Sequence, residues 1–259
     1  MLKNAIEVNG LTKSFEGITA VDNISFFVRE GEVFGFLGPN GAGKTTTIRM
    51  FTGLSKPSGG KASILNYDIQ SEITQIKKRI GVVPEVSNLY DELSAIDNLV
   101  FMAQLFGVSR QLRRERAGEL LKTFGLYERK DSLFRKYSRG MKRALTIAAA
   151  LIHNPSILFL DEPTVGLDVV AARSLRNLIK NLHNQGITIF LTTHYLEEAD
   201  LLCDRVAVIV KGKIIKIDTP KALKESTGTG NLEDAFIKIT GLSPTVMVME
   251  KGGGYNVVR

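Results

Sequence analysis

Eight residues, Gly38-Pro39-Asn40-Gly41-Ala42-Gly43-Lys44-Thr45, stand directly after the apolar run Val33 to Leu37 and open a helical pattern that reaches Thr52. Glycines at these places let the backbone curl until several N–H groups face one anion, and the helix N-terminus behind them adds its dipole. In that setting Lys44 reaches the β and γ phosphates of a nucleotide, and the Thr45 hydroxyl, with Thr46 beside it, faces Mg²⁺. An ordinary Gly-rich turn is the competing reading, and the strand-loop-helix context argues against it.

Further apolar runs at Ile6 to Val8, Ile24 to Val28, Ile80 to Val83, Ile157 to Leu160, Ile187 to Leu191 and Val206 to Val210 read as strands. Helical patterns follow at Val169 to His183 and Tyr195 to Leu202. That alternation predicts an α/β core with a mostly parallel sheet and its ligand at the carboxyl ends of the strands. The early strands, broken by the turn-like Glu30-Gly31, predict an antiparallel side sheet. From about Val86 to Ile152 helical periodicity takes over, for example Leu112, Ala117, Leu120, Leu121 and Phe124 behind an N-cap at Ser109. This predicts a helical subdomain inserted at about 86–152 within a domain of residues 1–230. Residues 231–259 read as a short helix, Leu232 to Ile239, and a Gly-rich tail.

Downstream, Ile157-Leu158-Phe159-Leu160 runs into Asp161-Glu162-Pro163. A strand lying beside the phosphate loop brings Asp161 near Mg²⁺ through water, and Glu162, one residue on, orients or deprotonates an attacking water. Alone, such an acidic pair is an ordinary helix start. Coexistence with the phosphate loop is what gives it chemistry.

Charge is unevenly spread. The chain carries 34 basic and 27 acidic side chains, a formal +7, yet Arg110 to Arg143 alone hold twelve basic and four acidic ones, a surplus of eight. Solvated helix faces explain this, and so does an anionic partner such as nucleic acid or a cytoplasmic leaflet. With 44% hydrophobic and 24% charged residues the chain is not globally disordered. It has no run of about 18 apolar residues that would span a bilayer and no secretory signal core. Its single cysteine, Cys203, excludes an intrachain disulfide. The expected location is the cytoplasm.

Three more segments complete a pattern. Tyr137-Ser138-Arg139-Gly140-Met141 opens an apolar helix, Val165-Gly166-Leu167-Asp168 follows the acidic pair, and Thr192-Thr193-His194 ends the next strand. With the phosphate loop and the acidic pair, they resemble the nucleotide-binding subunit of ATP-binding cassette (ABC) transporters over about residues 4 to 240. The resemblance implies a P-loop NTPase core with a mostly parallel sheet, an antiparallel β side sheet and the inserted helical subdomain. It implies a head-to-tail dimer in which each Mg·ATP lies between the phosphate loop of one copy and the segment Ser138-Arg139-Gly140 of the other. Asp168 then contacts across the dimer, His194 senses the γ-phosphate, and Phe15 stacks on adenine. Met singly, each has a plainer reading: Ser138 as an N-cap, His194 as a satisfied strand-end histidine, Phe15 as core.

Two positions depart from the family pattern. Its signature is commonly Leu-Ser-Gly-Gly-Gln, of which Ser138 and Gly140 match, while Arg139 and Met141 take the third and fifth places. Glu85 stands where the family usually has a glutamine that reaches Mg²⁺ and the attacking water. A carboxylate still accepts hydrogen bonds but does not donate when ionised. Both variants, with Leu232-Glu233-Asp234-Ala235-Phe236, look like the branch that exports drugs, antibiotics, ions or polysaccharides. The expectation is an ATP-hydrolysing subunit, a homodimer or a dimer with a paralogue, that drives a separate membrane permease from the inner face of the membrane. The rival is a soluble cassette protein acting on DNA or ribosomes. One cassette and no sustained heptads argue against it, and Glu162 in the catalytic place argues against a scaffold without turnover.

Overall fold

Two sheets face each other across a cluster of phenylalanines. The computed structural model describes residues 3–242. Strands β1 (Asn4–Phe15) and β2 (Ile18–Arg29) form a long hairpin, and β3 (Val33–Leu37) leads to helix α1 (Lys44–Phe51). Then come β4 (Gly59–Ile64), β5 (Tyr67–Asp68), α2 (Ile73–Lys77) and β6 (Ile80–Val83). Helices α3 (Ala95–Leu105), α4 (Arg110–Thr123) and α5 (Arg139–Leu151) precede β7 (Ile157–Asp161). The remainder is α6 (Val169–Asn184), β8 (Thr188–Thr193), α7 (Leu196–Leu202), β9 (Arg205–Val210), β10 (Lys213–Asp218), α8 (Pro220–Thr227) and α9 (Leu232–Thr240).

The antiparallel sheet has the order β2-β1-β4-β5, and the larger sheet the order β10-β9-β3-β8-β7-β6. In the larger sheet β9, β3, β8, β7 and β6 are parallel and β10 is an antiparallel edge. Every residue of β3, β7 and β8 is buried, as continuous apolar runs demand when both faces are covered. One face meets α1 and the antiparallel sheet, where Phe26, Phe34, Phe36, Phe51, Phe159 and Phe190 pack with ring centroids 5.4–6.3 Å apart. Removing any one ring from such a site costs about 3–5 kcal/mol. The other face is covered by α5, α6, α7 and α9, whose Leu232, Ala235 and Phe236 join that second cluster.

Between Val86 and Ile152 the described elements are helical, held by a third cluster around Leu99, Leu121, Phe134 and Leu145. The expectation for α4 needs correction in two details. Ser109 precedes the helix, but its hydroxyl makes no cap bond; its carbonyl accepts from Leu112 N at 3.0 Å instead. Leu112 is exposed, while Ala117 and Leu121 carry the packing. Three strands and two helices, the short α2 and α8, escaped the apolar-run reading. In β4 the sequence opens on two glycines, β5 is two residues long, and β10 mixes two lysines and an aspartate with three isoleucines at a half-exposed edge. Helix α8, capped by Thr219 with Pro220 in its first turn, lies before Gly228. The Gly-rich tail lies outside the described residues.

Candidate active site

Strand order decides which side chains meet. Because β8 lies between β3 and β7, the carboxyl ends of these three strands are neighbours. The loop to α1 leaves β3, His194 follows β8, and Asp161 ends β7 with Glu162 next to it. These segments enclose a cleft of about 410 Å³ lined by Asn40 to Thr46, Glu85, Glu162 and His194, with Ala20 and Val165 at its sides.

The loop's shape depends on glycine at two places. Gly43 has φ 101°, a left-handed conformation that side chains avoid, and a Cβ there would strike the Ala20 carbonyl oxygen. A Cβ on Gly38 would strike the carbonyl oxygen of Ile209 on β9. With both positions open, Lys44 folds back and donates to Gly38 O at 2.7 Å and Pro39 O at 3.1 Å.

Lys44 Nζ also forms a buried ion pair with Glu162 Oε1 at 3.0 Å. The second carboxylate oxygen, Oε2, lies 2.9 Å from His194 Nδ1. Burial pushes the Glu162 carboxyl up, but the His194 hydrogen bond and the Lys44 charge outweigh it and hold it below the ordinary value. An ionised carboxylate only accepts, so His194 Nδ1 carries the hydrogen in this contact. Glu162 Oε1, although paired in charge with Lys44, has no aligned hydrogen-bond donor.

Asp161 is fixed from two sides. Thr192 Oγ1 donates to its Oδ1 at 2.5 Å, and Thr45 Oγ1 donates to the same atom at 3.2 Å. A hydroxyl and a carboxylate in contact, with Glu85 on the wall of the same cleft, supply the hard oxygen donors that suit Mg²⁺ beside phosphates. Thr192 entered the sequence reading only within the segment Thr192-Thr193-His194, with no role of its own; its bond to Asp161 becomes visible once β8 lies beside β7.

The remaining residues lie elsewhere. Phe15 closes β1 at the hairpin, 48% exposed, with Lys13 Nζ 4.6 Å from its ring centre, and does not line the cleft. Ser138, Arg139, Gly140 and Asp168 also stand outside it. The first three and Asp168 are neighbours of one another: a Cβ on Gly140 would come within 2.8 Å of Ala171 Cβ, in the first turn of α6. Ser138 and Asp168 cap their helices, accepting from Met141 N at 3.3 Å and Ala171 N at 2.8 Å. The plain N-cap reading of Ser138 therefore holds in this chain, and leaves its outward face available. Beside this group Val169 and Val170 are 80% and 76% exposed.

Residues 21–165, more than half of the chain, match the family described as "ABC transporter". The chain belongs to the ABC transporter family. Its fold is that of ABC ATPase domains, and it is an ATP-binding ATPase of that family. A daunorubicin/doxorubicin resistance ATP-binding protein of Streptomyces peucetius is 45% identical, over 88% of this chain and 69% of that one. A solved ATP-binding subunit of an ABC transporter superposes with a TM-score of 0.81 at 29% identity, covering 93% of this chain and 100% of the other. A dimeric ATP-binding cassette in a post-hydrolysis state, bound to ADP and phosphate, gives a TM-score of 0.74 at 28% identity, over 83% of this ABC chain and 98% of that structure. Among the described residues no helix is long and apolar enough to cross a membrane.

Proposed function

We propose that the chain pairs head to tail with a second nucleotide-binding subunit around two Mg·ATP and drives export through a separate membrane permease. The observation that carries this reading is the division of the family's motifs within one chain. Phosphate loop, Glu85, Glu162 and His194 share a cleft, while Ser138, Arg139, Gly140 and Asp168 share a different face. A second copy brings that face over the first copy's cleft, and the dimeric solved relative supports such pairing. Export is supported by the drug-resistance relative.

In this reading Lys44 and the loop N–H groups bind phosphate oxygens, and Phe15 stacks on adenine. Thr45, Asp161 and Glu85 hold Mg²⁺, which when bound neutralises charge on the β and γ phosphates. Glu162 Oε1 takes the proton of the attacking water, and His194, which holds the carboxylate by Oε2, senses the γ-phosphate from the same cleft. Residues 1–230 form the nucleotide-binding domain with the helical subdomain inserted at about 86–152, followed by a short helix and tail over 231–259. The basic helical lobe, with Arg110 and Arg114 exposed, faces an anionic leaflet beside the permease.

The test is which partner stimulates turnover. ATPase activity is measured with the permease in anionic vesicles, and separately with DNA or RNA over a salt series. Stimulation by the permease alone is expected. Nucleotide-coupled stimulation by nucleic acid that collapses with salt would move the protein to the DNA or ribosome class.

A further inference from the structure

One buried cation has no part in the chemistry described so far. Arg143, one turn into α5 beyond Ser138, is 8% exposed. Its guanidinium donates to four backbone carbonyls: Nε to Pro163 O at 2.9 Å, Nη2 to Asp161 O at 2.7 Å, and Nη1 to Pro84 O and, at 3.3 Å, to Glu85 O. Burial lowers its pKa to about 10 against the opposing charges of Asp161, Glu198, Glu85 and Glu162, so it remains a cation at neutral pH.

These acceptors are not scattered. They are the ends of β6 and β7, neighbouring strands that pair Val83 with Leu160. One fork thus spans the two segments that present Glu85 and Glu162 to the cleft. Glu162 itself sits at φ 47°, a left-handed conformation that a side-chain-bearing residue keeps only where its surroundings over-determine it. The peptide entering Glu162 is held at both ends, its carbonyl by Arg143 and its N–H by Thr192 O and Oγ1, each at 3.1 Å. The Pro163 carbonyl beyond it is held by Arg143 again. A planar fork fits this task, and a lysine ammonium on a flexible stem does not reproduce it.

We propose that Arg143 is a positioning residue: by binding the carbonyls on both sides of Glu162 and those of Pro84 and Glu85, it keeps the Glu162 carboxylate aimed at the attacking water and ties both loops to the helix that carries Ser138. The inference rests on the reading of Glu162 as the residue that activates water. Arg143 touches no nucleotide in this scheme, so its loss acts on turnover and spares binding to the phosphate loop.

The experiment uses the full chain with ATP and compares R143K, R143M, E162Q and the double variant E162Q/R143M for turnover, ATP dissociation constant and thermal melting. R143M is expected to lower kcat at least about tenfold while the ATP Kd stays within about threefold of wild type. R143K moves in the same direction and keeps the fold if R143M does not. The double variant is expected to be no slower than E162Q, because a positioning residue has nothing left to position. Wild-type turnover in R143M beside an inactive E162Q overturns this inference and leaves the Glu162 reading intact. Near-wild-type turnover in E162Q removes both. Loss of ATP affinity together with a lowered melting point in R143K and R143M, or a double variant well below E162Q, makes Arg143 a structural brace and overturns the proposal.

Discussion

Lys44 Nζ and Glu162 Oε1 stand 3.0 Å apart in a buried ion pair, so the cation proposed for phosphate and the carboxylate proposed for water hold each other. A γ-phosphate at Lys44 competes with Glu162 for one ammonium. Glu162→Gln removes the competitor and the base together, and is expected to bind ATP at least as tightly as wild type while turnover falls by about 10² or more. Lys44→Ala is expected to lose tight ATP binding outright. Equilibrium binding and turnover, measured on both variants, check the separation; parallel losses in the two would contradict it.

His194 is expected to set the acid limb of activity through Glu162. Its hydrogen bond is the largest influence lowering the Glu162 carboxyl against burial. With a native value below the ordinary one, Glu162 contributes stability above the unfolded-state value that is lost as pH falls through the native value. In His194→Ala the burial contribution is opposed by Lys44 alone, so the acid limb of the kcat profile is expected to move to higher pH. A profile from about pH 5 to 8 reads the shift, and an unmoved limb would detach His194 from Glu162.

Glu198 gives the opposite sign. It is 2% exposed, neither oxygen has a partner of hydrogen-bond geometry, and burial raises its pKa, with nearby Thr193 and Thr164 opposing. The native state keeps a proton that the unfolded chain releases, so stability falls as pH rises from the unfolded-state value toward the native one. Glu198→Gln, which cannot ionise, is expected to melt higher than wild type at neutral pH and to lose that advantage in acid. Melting curves at two pH values test it.

Ser138→Arg places a bulky cation on the face shared with Gly140 and Asp168, outside the cleft. ATP should still bind the same chain's phosphate loop, while ATP-dependent dimerisation is blocked. Mixed dimers with Lys44→Ala hold one site with both lesions and one with neither, and are expected to recover part of the hydrolysis. Size-exclusion with ATP followed by turnover of the mixture reads both. Wild-type dimerisation and rate in Ser138→Arg would remove Ser138 from the composite site.

Legibility followed local signal. Strands β3 and β6 begin and end where their apolar runs do, because a strand buried on both faces has nowhere to put a polar residue. The edge strand β10 was invisible for the converse reason: half-exposed, it tolerates lysines that break the run. The phosphate loop and Asp161-Glu162 were legible as motifs with a mechanism, and strand order alone brings them together. Arg143 and Glu198 were not, since each stands among other charged residues of its helix, Arg139 and Lys142 beside the one and Glu197 and Asp200 beside the other, and Arg143 gains meaning only through partners 18 to 59 positions away; the bond of Thr192 to Asp161 likewise spans 31 positions.

The position of β8 sets a schedule for synthesis. It is made after β3 and β7 yet lies between them, with Val33 to Leu37 on one flank and Ile157 to Asp161 on the other. Until Thr193 has left the ribosome, the emerging polypeptide has a phosphate loop and an acidic pair with no sheet to hold them abreast. A fragment ending before β8 is therefore expected to hydrolyse no ATP, because the strand that joins its phosphate loop to its acidic pair has yet to be made.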